Sequence, residues 1–313
     1  MRKARPDVGK KNWQSKTFYL VIVNSPVILT EKLALTFQMT TLDDIPVFSI
    51  SPNPSAMYLT PALIAGLARI KKAIQRKQGL GMILGGVGLG KSSLLRLLAL
   101  DYEMDAERYT VSYLHDSRKF KTPFDFLKIV GEDFGIDPKR SQRAQMDAIE
   151  EFLVQNHEAK KTTIVFVDEA QRLSLEILEL VRSLLNFETD THKLIQFVVA
   201  GQLELRDRLQ ERRYQMVRSR IVAPLLMQPL DAKETRLLIE TRLQRWDLPN
   251  PFVPDAIESI HQLANGIPRQ VLLLAQQSCD RVTENKKVQA EDVIAAYQDL
   301  QIADPQEALA EMA

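Results

Sequence analysis

Cysteine is almost absent from this sequence: Cys279 is the only one in 313 residues. No internal disulfide can form and no thiolate metal site can be built, which fits a reducing compartment. Histidine is scarce as well. His115, His157, His192 and His261 stand without ligand spacing, so no histidine metal site is expected. No stretch approaches the ~20 consecutive apolar residues of a membrane helix. The run FYLVIVNSPVIL follows a basic start as an export signal would, but Asn24, Ser25 and Pro26 interrupt it. No small-residue cleavage pattern follows. Neither export nor a membrane span is expected, and the expected location is cytoplasmic. Internal repeats and low-complexity tracts are also missing, so no repeat architecture is expected.

What is present suits a soluble protein of about two domains. An apolar fraction of 45% supports a sizeable core, and a charged fraction of 26% is ordinary. The net charge of +1 hides an asymmetry. Arg2, Lys3, Arg5, Lys10, Lys11 and Lys16 face Asp7 alone at the N-terminus. Residues 291–313 hold Glu291, Asp292, Asp299, Asp304, Glu307 and Glu311 with no Lys or Arg. A basic arm and an acidic tail are candidates for different partners, or simply two solvated ends.

Residues 17–45 are rich in β-branched and apolar types, and one or two strands are expected there. Thr60-Pro61 forms an N-cap and first turn for a helix running to Lys77. Strands are expected at 81–84, 109–115, 163–167, 194–200 and 221–223. Helices are expected between them at 91–100, 123–134, 141–156, 175–187 and 203–219. Alternation of this kind implies a parallel sheet covered on both faces. From Pro229 the pattern turns to helices only, opening with Asp231 and Glu234 at capping-box spacing. The expected division is a basic arm and extension (1–45), an α/β nucleotide-binding domain (46–228), a helical lid domain (229–302) and an acidic tail (303–313).

Five elements carry chemistry. The first is LGGVGLGKSS, in which Gly85, Gly86, Val87, Gly88, Leu89 and Gly90 precede Lys91, Ser92 and Ser93. Glycines let backbone N–H groups turn toward β- and γ-phosphates, Lys91 adds a point charge, and the Ser92 hydroxyl ligates Mg2+. The second is TTIVFVDEAQ, an apolar strand ending in two acids. Asp168 falls near the magnesium shell, and Glu169 can polarise the attacking water. ATP and Mg2+ are therefore the expected cofactors. The third is Gln202 at the end of the next strand, placed to sense the γ-phosphate. The fourth is RRYQMVRSRI. Arg220, with Arg218 as the alternative, is placed to act as an arginine finger on a neighbouring subunit's γ-phosphate; a solvated basic helix face is the plainer reading. The fifth is Gly-x-Pro-Arg at a helix start, which lets Arg269 reach back from the lid to the phosphates.

In this order the five elements resemble the AAA+ ATPases. FSISPNPSAMYLT, GGVGLGKSSLLR, VFVDEAQRLS, VVAGQLELRDRL and NGIPRQVLLLA are similar to the ExeA/TnsC/TniB branch across roughly residues 46–300. The resemblance implies an α/β AAA+ P-loop fold with a parallel β-sheet core and a C-terminal α-helical lid, and it implies that Tyr58 contacts the adenine. It further implies one of two main activities. Proteins of the TnsC/TniB type assemble on double-stranded target DNA as ATP-dependent rings or helical filaments and pass the site to a transposase. ExeA-type ATPases act in secretion and assembly on protein partners, and helicase loaders are a third, related group. The transposition reading is the one the sequence favours here. HDSRKFKTP supports it by placing Arg118, Lys119 and Lys121 in one loop, where cations repeated around a homo-oligomer would grip the DNA backbone without reading sequence. The basic arm is a second candidate for DNA, and the acidic tail a candidate contact for the transposase or a target-selection protein.

Overall fold

A computed structural model describes residues 47–50, 56–282 and 286–300. The strands expected within 17–45, the basic arm and the last acids, Asp304, Glu307 and Glu311, lie outside the described residues. The described chain begins with α1 (Pro61–Gln75), capped by the Thr60 hydroxyl, which accepts from Leu63 N–H at 3.2 Å. It then alternates β1 (Leu80–Leu84), α2 (Lys91–Glu103), β2 (Tyr109–Leu114), α3 (Pro123–Asp133), α4 (Gln142–Glu158), β3 (Thr162–Val167), α5 (Leu175–Leu184) and β4 (Ile195–Gly201). The segment continues through α6 (Leu203–Gln210) and α7 (Gln215–Arg218) to β5 (Ile221–Leu226). Four helices follow: α8 (Ala232–Arg245), α9 (Pro254–Ala264), α10 (Pro268–Arg281) and α11 (Ala290–Leu300).

All strand pairs are parallel, in the order β2-β3-β4-β1-β5. Strands β1 and β4 are buried along their whole length, which explains their near-continuous apolar runs; the one polar side chain among them, Gln196, is bonded to Gly79 N–H and the Lys193 carbonyl. Side chains alternate between two cores. Ile164 and Phe166 of β3 join α1 and α2 on one face, whereas Val165 and Val167 join α3 to α7 on the other. Phe126, Phe166 and Phe197 are fully buried, and each contributes roughly 2–3 kcal/mol of transfer free energy. A third core gathers α8 to α11, with Leu238, Ile239, Ile257, Ile260, Val271 and Val293 inside it. Phe48 belongs to this third core and meets Phe252 edge-on at 5.9 Å.

The capping box of α8 forms as the spacing implies, with Asp231 and Glu234 each bonding the other's backbone. The single helix expected over 203–219 does not form. Glu211 adopts an extended conformation (φ −65°, ψ 147°), and a 3-10 turn at Arg212–Tyr214 separates α6 from α7. The cause is tertiary. Arg208 leaves the helix surface to bond the carbonyls of Gln171 and Leu173 at 2.7 and 2.8 Å, and the Tyr214 hydroxyl at 2.9 Å. Tyr214 is thereby drawn into the core, out of helical phase with Leu205 and Leu209.

Among the described residues no helix is long and apolar enough to cross a membrane. The acidic run is split: Glu291, Asp292 and Asp299 stand on α11, where Asp299 pairs with Arg281.

Candidate functional site

In a parallel sheet the crevice for ligands opens at the carboxyl ends of the strands, where the chain order reverses. Here β1 stands between β4 and β5, and its next strand in the chain lies at the far edge. The loop after β1 is stitched to its neighbours. Gly85 N–H donates to the Gly201 carbonyl at 3.3 Å, and Met227 N–H to the Leu84 carbonyl at 2.7 Å. Gly88 and Gly90 adopt φ +79° and +90°, conformations costly for any residue with a Cβ. A Cβ at Gly88 would also stand 2.8 Å from Ile267 of the lid. Lys91 begins α2, is buried, and donates from Nζ to the Gly86 carbonyl at 2.8 Å. Burial is the main influence on its ammonium and pushes its pKa down, against the pull of Glu169, Asp168 and Glu204.

The acid pair follows β3. Asp168 is only 5% exposed, and burial raises its carboxyl above the ordinary range. Hydrogen bonds from the Ser92 hydroxyl and the Glu169 N–H work in the opposite direction. Its own N–H donates to the Leu114 carbonyl at 2.9 Å, and Ser117 donates to its carbonyl. A buried carboxylate beside a hydroxyl at the mouth of a glycine loop is the donor set that Mg2+ takes from a P-loop protein, the rest of its shell coming from phosphate and water. The residues therefore fit this ion. Among the described residues no larger His, Cys, Asp or Glu cluster offers an alternative metal cage.

A raised pKa for a folded carboxyl means that its charged form weakens the fold at neutral pH, and that this cost fades as pH falls through the raised value. Asp168→Asn is therefore expected to raise the melting temperature of the nucleotide-free protein by about 1–3 °C at pH 7. The same variant should lose the extra stabilisation that Mg2+ adds to bound ATP. Scanning fluorimetry measures both, and an unchanged or lower melting temperature would contradict the reading.

Glu169 has φ +54°. The other described non-glycine residues with positive φ, Lys77, Lys160, Asp247 and Asn265, all stand at helix C-termini. Glu169 instead sits between a strand and a 3-10 turn, in a conformation that costs about 1–2 kcal/mol. Strain of this kind concentrates at working positions. Gln171 holds the carboxylate, donating from Nε2 to Glu169 Oε2 at 2.6 Å. Its Oε1 accepts from Gln202 N–H at 3.1 Å. One amide thus joins the acid to the residue after β4, and the geometry brings Glu169 and Gln202 together through it. The DEAQ motif alone assigns Gln171 no role. Its spacing two residues after Glu169 was the available signal.

The two candidate arginines before β5 are differently engaged. Arg218 donates to the carbonyls of Leu209 and Gln210 at 3.0 and 3.2 Å, closing the C-terminus of α6. Arg220 makes one contact to an amide side chain, Asn186 Oδ1, at 3.0 Å. Parallel pairing of Leu80 with Ile221 and of Leu84 with Leu226 fixes where Arg220 lies. It precedes the amino end of β5, whereas the glycine loop leaves the carboxyl end of β1. The two are separated by about 13 Å of strand, so Arg220 does not join its own chain's glycine loop.

The loop after β2 contains a 3-10 turn at Ser117–Lys119. Arg118, Lys119 and Lys121 are all exposed, but they are not equivalent. Arg118 is paired with Asp116 at 2.8 Å and holds that carboxyl down at about 2.

Arg269 follows Pro268 at the start of α10, and its N–H donates to the Gly88 carbonyl at 3.2 Å, placing it against the glycine loop. Between the lid and this loop lies a cavity of about 170 Å3. Gly88, Leu89, Gly90, Ser93 and Arg269 line it, as do Tyr58, Glu234, Leu238 and Arg242 among others. Burial, helped by Glu234 and Asp231, raises the Tyr58 hydroxyl above its ordinary range.

Residues 74–209 match the family model of the AAA domain. General secretion pathway protein A of Aeromonas hydrophila is 32% identical over 263 residues, covering 81% of this chain and 46% of that protein. The chain thus spans about half the length of this curated relative. Among solved structures, the ORC2 protein of Aeropyrum pernix aligns with a TM-score of 0.59 at 17% identity, over 85% of this chain and 74% of that one. The ORC1 protein of Aeropyrum pernix in complex with DNA gives 0.58 at 19%, over 81% and 69%. Cdc6p of Pyrobaculum aerophilum gives 0.59 at 16%, over 84% and 73%. At these identities the structures speak for the fold alone, and that fold is the α/β parallel sheet with lid expected of the family. Family model, fold and glycine-loop geometry agree on residues 74–209: this part of the chain is an AAA domain, the domain of the AAA+ ATPases.

Proposed function

We propose that this AAA+ module hydrolyses ATP at a site shared between neighbouring subunits and uses the cycle to build and dissolve an oligomer on a protein partner. The observation that carries it is the position of Arg220, at the sheet end opposite its own glycine loop, where it bonds Asn186 and lies near the Glu188 carboxylate. A finger so placed serves a neighbour. Backbone N–H groups of residues 85–90 and Lys91 hold the β- and γ-phosphates. Ser92 and Asp168 would hold Mg2+, which would supply positive charge to offset that of the phosphates. Glu169 polarises the water that attacks the γ-phosphorus, and the bond to the β–γ bridging oxygen breaks, releasing ADP and phosphate. Gln202 and Arg269 contact the γ-phosphate from the sheet and the lid, and Tyr58 lies beside the adenine.

Gln171 sets where Glu169 points. Gln171→Ala is expected to lower turnover about tenfold at saturating ATP, with ATP affinity changed less than about twofold. A matching loss in affinity, read by calorimetry, would contradict the assignment.

The choice of protein partners is supported by the relative, named for a general secretion pathway. It reverses the order in which the sequence alone ranks the two activities. Transposition remains the second reading, in which the oligomer forms on duplex DNA, selects a target and activates a transposase. Exposed Lys119 and Lys121 favour it, although Arg118 is already engaged by Asp116. Light scattering with a non-hydrolysable ATP analogue, with and without duplex DNA, separates them. Assembly that needs only nucleotide supports the protein-partner reading. Assembly that needs DNA, weakens steeply with salt and fails in a Lys119→Glu, Lys121→Glu variant supports the other. A monomer with ATP bound under every condition would overturn both.

A further inference from the structure

The cavity under the lid contains a charge that the reaction above does not use. Arg242 lies on α8, lines the cavity and is only 8% exposed. Its Nη1 donates to the Ser49 carbonyl at 3.3 Å. Its Nε is buried and has no hydrogen-bond partner among the described residues. A guanidinium so buried ordinarily faces a carboxylate. Here burial disfavours its charge, and the neighbouring Arg245 cation disfavours it further. Retaining a charged donor with an unmade bond is costly, which points to a partner that arrives with the ligand.

The place of Arg242 in the cavity narrows that partner. Glu234, Leu238 and Arg242 follow one another at four-residue spacing on one face of α8, and all three line the cavity. The start of α8 reaches the glycine loop through the lid: Leu230 N–H donates to the Gly266 carbonyl at 2.8 Å, and Arg269, three residues after Gly266, donates its N–H to Gly88. Arg242 stands about 16 Å further along the helix from Asp231, away from that loop. The cavity's lining as a whole is largely apolar, with Ile50, Leu226 and Leu238 among it. Phosphates held at Gly85–Ser92 leave the base, not another phosphate, to meet Arg242. A purine ring presents three acceptor nitrogens and flat apolar faces, which suit a single N–H donor in an apolar slot.

We propose that Arg242 is a base-reading residue of the nucleotide site, its Nε–H donating to one ring nitrogen of the purine. This rests on the ATP reading above, and the test separates the two. The full chain is titrated calorimetrically, with Mg2+, against ATP, 1-deaza-, 3-deaza- and 7-deaza-ATP, and 2′-deoxy-ATP. One deaza analogue is expected to bind about tenfold more weakly than ATP, the size of a lost charge-assisted hydrogen bond. In Arg242→Met, ATP should weaken to match that analogue and the difference between them should vanish. Arg242→Lys, which keeps the charge but lacks the planar Nε, gives the same comparison should the methionine variant not fold. Equal binding of ATP and all three deaza analogues by the wild-type chain overturns the proposal. A deaza penalty that survives in Arg242→Met, or a penalty confined to the 2′-deoxy nucleotide, overturns it equally. If ATP itself does not bind, the nucleotide reading falls first and this inference falls with it.

Discussion

Arg220→Ala is expected to lower ATP turnover about 10³-fold while leaving the affinity of an isolated subunit for ATP within about twofold. The magnitude is that of an arginine finger, which stabilises charge spreading over the γ-phosphoryl oxygens only as the bond breaks. The preserved affinity follows from geometry, since Arg220 lies beyond the amino end of β5, remote from its own chain's loop. Arg218→Ala should behave differently. Its guanidinium closes the C-terminus of α6 through two carbonyls, so its loss should lower the melting temperature and affect turnover less. Steady-state turnover beside nucleotide titration distinguishes the two arginines. Similar losses in both variants would leave the finger unassigned.

Glu169→Gln is expected to lower turnover by about 10²–10⁴-fold and to retain ATP, because polarising the attacking water is a transition-state task. The amide is isosteric, so the αL backbone and the bond to Gln171 can persist. Since ATP held at the shared site joins subunits, the variant should accumulate as oligomer in ordinary Mg·ATP, where the wild type cycles. Sedimentation measures that accumulation. Wild-type turnover in Glu169→Gln would remove the residue from the mechanism.

The sheet and the phosphate loop were legible in the sequence because both depend on local chemistry. Buried parallel strands need near-continuous apolar runs, and a loop with φ +79° and +90° needs glycine at 88 and 90. Capping of α1 by Thr60 and of α8 by Asp231 was readable for the same reason. Three features were not. The break at Glu211 depends on where Arg208 finds carbonyls, 35 and 37 residues earlier in the chain. The tie from Glu169 through Gln171 to Gln202 joins the ends of two strands, and their adjacency exists only once the sheet is ordered. Arg242 reads as one more cation on a charged helix, and only the fold buries it. The pairing of Arg118 with Asp116 was open to a sequence reading, since they are two residues apart, and it reduces the cations that loop can offer to DNA. In each missed case a polar side chain is committed by tertiary geometry, which periodicity does not encode.

Mixing the two inactive subunits tests the shared site most directly. An Arg220→Ala chain keeps an intact Glu169, and a Glu169→Gln chain keeps an intact Arg220. Each alone should be nearly silent. In an equal mixture about a quarter of head-to-tail interfaces would join an intact acid to an intact finger, so turnover should return to about a quarter of the wild-type rate. No recovery on mixing, with oligomers present by sedimentation, would contradict a site completed by the neighbouring subunit.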